Sequence, residues 1–457
     1  MKLKYNISPS ILSVIIIFLF CLCTAHINKV WCGDGFNPFC YDTKQYYSYL
    51  PQFLIEQDID FVKRGDYWLD TLDNGKVFIK YSCGVAFLEA PFFLLAWAIC
   101  LLGNIPVNGG YNSVFFECIH YGVFLYFLLG MVCLRKALLH FKFSEIVVSI
   151  TLLCVFFGTN LFHYILGQGL MSHGFLFSLH CIFLYLIIRF YNSPNIKNTI
   201  FIGLVGGLIA LIRPTEILCF LVLALWKVNS METFKERFRF FIQKYYLVIV
   251  MMIMVIIVWI PQMLYWKHVS GGYLLYSYKD EKLLFDSPKL IEILFSPRNG
   301  LIPYCPVVFL FLVSLFVPNS VYKGKLGIVM FVALNIYLVS CWWCWWYGGS
   351  FGARALVQIY PYLAISFAGM LQLAYIYKAK FYKVLKYSLN VVIFLCVLLH
   401  LKFWYQGKNG YVHFDSMTRQ AYWFIFPRVL LNGSETAKYY SLVKTPSYDP
   451  KERDTVR

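Results

Sequence analysis

Apolar runs long enough to cross a bilayer recur along the whole chain, at 9–29, 83–104, 113–134, 145–162, 173–190, 199–228, 245–264, 301–318, 326–341, 355–375 and 386–404. A hydrocarbon core about 30 Å thick needs about twenty apolar residues in helical form, so these runs identify lipid as the surrounding solvent. Within lipid every backbone N–H and C=O must be paired by the segment itself, and runs of this length satisfy that as helices. Composition agrees: 60% of the 457 residues are hydrophobic, only 14% are charged and mean hydropathy is +0.63, against roughly 25% charged in an average soluble domain. The expected fold is an all-α polytopic membrane protein.

The formal net charge of +17 does not point to nucleic acid, because no basic domain interleaved with aromatic residues accompanies it. Lys and Arg instead concentrate in short loops, as cytoplasmic loops of membrane proteins require. These are Arg135, Lys136 and Lys142; Arg189 and Lys197; Lys227, Lys235, Arg237, Arg239 and Lys244; Lys323 and Lys325; and Lys378, Lys380, Lys383 and Lys386. The N-terminus, Lys2 and Lys4 before "ILSVIIIFLFCLCTA", reads as an uncleaved signal-anchor helix, with a signal peptide cut after Ala25 as the alternative.

With the first helix running outward, the basic loops share one side only if 83–104 does not cross and 199–228 crosses twice. Glu89 and Pro91 in "GVAFLEAPFF" suit a helix that lies in the outer interface or dips into it. "RPTE", Arg213 to Glu216, breaks 199–228 into halves of about 13 residues, about 20 Å each. That predicts a hairpin with its tip below the outer surface and Arg213 in an aqueous cavity. The result is about eleven crossings, with the irregular polar segments 30–112, 163–172, 213–216, 265–300 and 342–354 all outside. Residues 1–404 form the membrane-embedded unit, and 405–457 are a short polar outer tail.

The fifteen cysteines lie mostly in apolar runs, where they act as small hydrophobes. Cys32 and Cys40 flank an outer loop and are candidates for a bridge. Cys341-Trp-Trp-Cys344 has redox spacing but no thioredoxin-like context, and packing is its expected role.

The outer segments carry the chemistry. The first loop supplies Asp42, Asp58, Asp60, Asp66, Asp70 and Asp73, then Lys80 in "FIKYSCG". Later segments add Ser172 and His173 in "GLMSHGF", Arg213, Arg298 in "FSPRNG" and Arg354 in "WWCWWYGGSFGAR". One acid with several converging cations suits glycosyl transfer from a lipid phosphate. The carboxylate takes the proton of an acceptor hydroxyl, and the cations hold the departing phosphate.

The order of these elements resembles the GT-C superfamily of integral-membrane glycosyltransferases, in particular the branch with the protein O-mannosyltransferases and the lipid A aminoarabinose transferase. The resemblance covers the chain to about residue 404. Its motifs are D-x-x-x-Y-Y-x-Y-L-P (Asp42, Tyr46, Tyr47, Tyr49, Leu50, Pro51), K-Y-x-x-G before Pro-Phe-Phe (Lys80, Tyr81, Gly84, Pro91, Phe92), and the "MSH", "IRPT" and "WWYGGSFGAR" segments. It implies a bundle of about eleven helices whose long first outer loop contains juxtamembrane helices. It further implies Asp42 as general base, and a basic residue near the end of that loop on the donor phosphate.

The site expected on this basis is Asp42 as catalytic residue, with Lys80, Arg213, Arg354, His173, Tyr46 and Glu89 around donor phosphate or sugar. The partners implied are a polyprenyl-phosphate sugar donor and a glycan, lipid or protein acceptor, at the periplasmic face of a bacterial inner membrane. Two departures stand out: Thr43 follows Asp42 where many members have a second acid, and "HYILGQGLMSH" holds no carboxylate. No metal or other cofactor is expected.

Each residue has a plainer alternative. Asp42 reads otherwise as a loop acid, Lys80 as a snorkelling lysine, Arg354 as a helix-end anchor and Trp342, Trp343, Trp345 and Trp346 as an interfacial belt. Gly348, Gly349 and Gly352 allow close approach of a ligand to the backbone, and Arg298 and Lys267 are expected in a mobile loop. Asp58-Ile-Asp60 reads as a solvated face. A lipid-linked glycan flippase, an O-antigen polymerase or ligase, and a non-catalytic scaffold are the competing functions.

Overall fold

The computed structural model of the protein describes residues 7–28, 41–61, 69–317, 324–377 and 379–449. Cys32, Cys40, Asp66, Lys323 and Lys378 lie outside the described residues. The first part of the chain forms α1 (Pro9–Asn28), α2 (Asp42–Pro51), α3 (Gly84–Leu102), α4 (Ser113–His140), α5 (Glu145–Phe157), α6 (Leu161–Leu166) and α7 (Ser172–Asn192). It continues through α8 (Ile196–Ile212), α9 (Cys219–Ala224), α10 (Met231–Gln243), α11 (Tyr245–Ser270), α12 (Leu290–Phe295), α13 (Leu301–Tyr304) and α14 (Val307–Ser314). The last helices are α15 (Leu326–Cys341), α16 (Tyr360–Ile376), α17 (Lys380–Lys408), α18 (Arg419–Ile425) and α19 (Gly433–Leu442). The strands among the described residues, β1 (Asp70–Thr71) and β2 (Val77–Phe78), pair antiparallel with Asp70 opposite Phe78.

The protein is thus mostly helical, and among the described residues 7 helices are long and apolar enough to cross a membrane: α1, α3, α4, α7, α11, α16 with its preceding turn, and α17. Several expected runs are broken. The 301–318 run divides between α13 and α14 because Cys305, which precedes Pro306, leaves the helical region (φ −129°, ψ 64°); proline disfavours the helical conformation in the residue before it. The 145–162 run stops at Gly158 and resumes as α6. The hairpin at 199–228 is present: α8 ends at extended Arg213, Pro214–Leu218 form a tight turn, and α9 returns. Phe220 lies against Gly206, and the Tyr191 hydroxyl donates 2.5 Å to the Leu223 carbonyl, so the second limb runs back beside α8 and α7.

The α3 helix has the length of a span, but its neighbours bear on what it does. Arg135, near the end of α4, reaches Ser10 at the start of α1 (2.6 Å) and Glu145 at the start of α5 (3.2 Å). Since α1 and α4 run in opposite directions, the connection between them starts and finishes at one end of the bundle. Within that connection α3 begins against Ile212 and runs antiparallel to the N-terminal part of α4, with Phe92 on Gly122 and Cys100 beside Asn112.

Small residues set the tightest helix contacts, as expected where lipid gives no hydrophobic drive between helices. Gly130 of α4 meets the Ser178 backbone of α7, while Gly203 and Gly207 of α8 meet Met251 and Val255 of α11.

The basic segments converge at the end opposite Arg213. Lys227 lies over Phe141, Arg237 stacks 4.0 Å from the Tyr191 ring centroid, and Lys325 donates to the Ser314 and Val317 carbonyls. The amphipathic α10 sits at this end with Phe234, Phe238 and Ile242 exposed in one stripe, the pattern of an in-plane interfacial helix.

Candidate functional site

The α2 helix opens on Asp42, after Tyr41 turns the chain with φ 51°. Its tyrosines then fix it to the bundle. Tyr47 donates to the Gly110 carbonyl and packs on Phe93 and Tyr111. Tyr49 donates to the Tyr81 carbonyl at 2.7 Å and meets Tyr265 edge-on. The next piece of the motif, residues 79–83, is held between α11 and the tip of α8. The Tyr265 hydroxyl accepts from the Ile79 N–H (3.0 Å), Gln262 accepts from the Cys83 N–H (2.8 Å), and the Ser82 hydroxyl donates to the Leu211 carbonyl.

This clamp delivers Tyr81 to Asp42. The phenol donates 2.8 Å to one carboxylate oxygen, and Arg354 Nη2 stands 3.4 Å from the other. Burial first, and the Asp42 charge second, push the Tyr81 hydroxyl well above its ordinary value, so it stays a donor. Tyr46 completes this side: its ring lies 4.7 Å from that of Tyr81 and its hydroxyl is 3.5 Å from Ser172 Oγ. Burial, then Asp42, raises the Tyr46 hydroxyl to about 12, with Arg213 and Arg354 acting in the opposite sense. The Asp42 and Arg354 side chains keep 25% and 14% exposure, enough for a ligand to reach them.

Arg213 joins through the backbone, donating 3.1 Å from Nη1 to the Ala355 carbonyl beside Arg354. His173 follows Ser172 on the first turn of α7, buried, with its ring 4.8 Å from Tyr164. Tyr164 in turn accepts from the Phe351 N–H at 3.0 Å, tying His173 to the loop that leads to Arg354. Lys80 is next to Tyr81 but turned to the 271–289 segment, with Nζ 2.5 Å from Glu281 and 4.9 Å from the Tyr278 ring centroid. Glu89 is buried in α3 with neither oxygen hydrogen-bonded, and no observed contact links it to Asp42.

The tryptophan loop departs from the belt reading. Trp343, Trp345 and Trp346 are buried, with Leu284 and Trp342 packed against them. Tyr448 packs on Trp346 and donates 2.8 Å to Asp415, and a side chain at Gly348 would collide with that tyrosine. Gly352, at φ 66°, faces Asn160. Protein groups therefore fill the space beside Gly348 and Gly352 that a ligand was expected to approach.

Arg298 is likewise no part of a loose loop: it is 1% exposed and donates 3.0 Å to the Lys444 carbonyl. Lys267 caps α11 by donating 2.6 Å to the Gly271 carbonyl. Asp60 is paired with His268 (2.7 Å) and Lys76 (3.5 Å), and the His268 hydrogen bond above all holds its carboxyl below the usual range. No disulfide joins the described cysteines, Cys341 and Cys344 included.

Among the described residues no group of three or more His, Cys, Asp or Glu side chains is placed to hold a metal ion. What the site does offer is a carboxylate flanked by a phenol and a guanidinium, with a second guanidinium tethered beside the first. Sequence reasoning quoted Tyr81 and Ser172 without giving them roles, although the K-Y-x-x-G and M-S-H motifs marked both. Glu281 and Tyr278 carried no signal, since nothing local shows that their segment folds against Lys80. No protein-family model matches the chain, and no curated protein is significantly similar to it.

Proposed function

We propose that the protein is an inverting glycosyltransferase that moves a sugar from a polyprenyl phosphate to an acceptor hydroxyl at the outer face of a bacterial inner membrane. The observation that carries this reading is the Asp42 carboxylate between Tyr81 and Arg354, with Arg213 joined to the same backbone through Ala355. Asp42 takes the proton of the acceptor hydroxyl as its oxygen attacks the anomeric carbon. The bond from that carbon to the phosphate oxygen breaks, and the lipid phosphate departs with the electron pair. Arg213 and Arg354 hold the charge that develops on it. Lys80 serves the same phosphate once the Glu281 carboxylate, an anion already at its ammonium, gives way.

The gathering of basic segments at the opposite end supports an outward-facing site, because such segments are retained in the cytoplasm. On this reading α3 covers the outer side without crossing, and the 213–224 limb completes a hairpin, which gives about eleven crossings. The test is transfer of labelled sugar from a panel of synthetic polyprenyl-phosphate sugars, by protein in lipid, into cell-envelope extract. Transfer from one donor is the expected result. A folded protein inactive with every donor contradicts the proposal and favours transport or polymerisation of lipid-linked glycans.

A further inference from the structure

Beneath the two arginines lies a polar cluster that the proposed chemistry does not use. It comprises His180 of α7, Glu216 after Arg213, Asn335 of α15, Gln358 after Arg354 and Tyr362 of α16, none of them more than 2% exposed. Gln358 Nε2 is 2.8 Å from Glu216 Oε1, 3.3 Å from Asn335 Oδ1 and 2.5 Å from the Ala355 carbonyl. The other Glu216 oxygen is 3.5 Å from His180 Nε2, and His180 Nδ1 is 2.9 Å from the Tyr362 hydroxyl.

Both arginines sit where a helix is interrupted. Arg213 is extended ahead of the Pro214–Leu218 turn, and Arg354 opens the tight turn Arg354–Ile359. Such turns are paired i→i+3, as Glu216 N–H to the Arg213 carbonyl and Leu356 N–H to the Ala353 carbonyl show, with poorer hydrogen-bond geometry than an α-helix, so side-chain bonds add to what holds them. Glu216 follows Arg213 by one turn, and Gln358 follows Arg354 by one turn. Their hydrogen bond therefore joins the two interruptions, while the Ala355 carbonyl receives both Gln358 and Arg213. A carboxylate inside a lipid-spanning bundle is costly to retain, and here it is sealed on every side, which suits holding better than conducting.

We propose that Glu216 and Gln358, backed by His180 and Tyr362, form a buried latch that fixes the Arg213 and Arg354 segments as one anion-binding unit. The identity of the anion, a lipid phosphate, rests on the function proposed above; the latch itself does not. These are positioning residues, acting through the arginines.

The experiment combines hydrogen exchange at 213–218 and 354–359 with the affinity of the full-length protein in lipid for undecaprenyl phosphate. Gln358→Leu and Glu216→Leu are expected to speed exchange in both segments together and to weaken binding about tenfold. Glu216→Gln, which can still accept from Gln358, should bind within about twofold of the parent. In an Arg213→Gln/Arg354→Gln background, Gln358→Leu should add no further loss of affinity.

Faster exchange confined to the substituted segment overturns the latch, and so does a binding loss that persists undiminished in the arginine-free background. If the single leucine variants do not fold, Glu216→Leu/Gln358→Leu, which removes both partners, is read in the same way. A parent protein that binds no undecaprenyl phosphate refutes the lipid-phosphate reading, and the exchange data alone then decide the latch.

Discussion

Asp42, Tyr81 and Arg354 are far apart in the chain, and their meeting depends on side chains with no chemistry of their own to perform. Tyr49 holds the Tyr81 backbone and Gln262 holds Cys83, so the phenol is aimed before any substrate arrives. A hydrogen bond to a charged group is worth about 1.5–3 kcal/mol. If that bond orients Asp42 for proton transfer, Tyr81→Phe should lower the transfer rate roughly tenfold or more, with donor affinity little changed. Single-turnover kinetics beside equilibrium binding measure the two separately. Sequence alone singled out Asp42, Tyr46 and Arg354, since an acid and an arginine beside apolar runs need an explanation, and the structure brings the three together. It did not reveal that Lys80 pairs with Glu281, or that Arg298 is buried beneath the C-terminal segment, because both pairings cross long stretches of chain. Glu89 was singled out on its type, and its surroundings supply no polar partner.

At the scale of elements, the hairpin at Arg213 and the start of α3 define the inner boundary of the site together. A side chain at Gly84 would meet the Ile212 backbone nitrogen at 2.8 Å, so only glycine lets α3 seat against the hairpin tip. Gly84→Val should destabilise the protein by about 1–3 kcal/mol, as overpacking does, and lower transfer by displacing Arg213. Thermal unfolding in detergent, followed by activity in lipid, checks both effects. The hairpin was legible because "RPTE" interrupts an apolar run too long for one helix and too short for two full spans. The break at Cys305 was missed although Pro306 announced it. The α10 helix was missed because its period lies in a basic stretch that had already been accounted for as a loop. The helices α18 and α19 belong to a tail judged only by its polarity, yet Asn432 and Glu435 cap α19 reciprocally.

For the whole molecule, the pattern that ties fold to function is the separation of two ends: basic segments at one, Asp42 with its arginines toward the other. Single cysteines at the exposed positions Asn229 and Gly433 test the orientation. In intact cells an impermeant maleimide should label Gly433→Cys, and Asn229→Cys only after the membrane is permeabilised. The apolar runs made the lipid-embedded character plain, but the sides could be assigned only by counting crossings, where α3 has the length and composition of a span. The measurement that bears most directly on the central claim compares the parent with Asp42→Asn in transfer from the best polyprenyl-phosphate donor, with donor binding measured on the same preparations. The account predicts that Asp42→Asn loses at least about a hundredfold in transfer while binding the donor nearly as well as the parent. Transfer close to that of the parent by folded Asp42→Asn would contradict it.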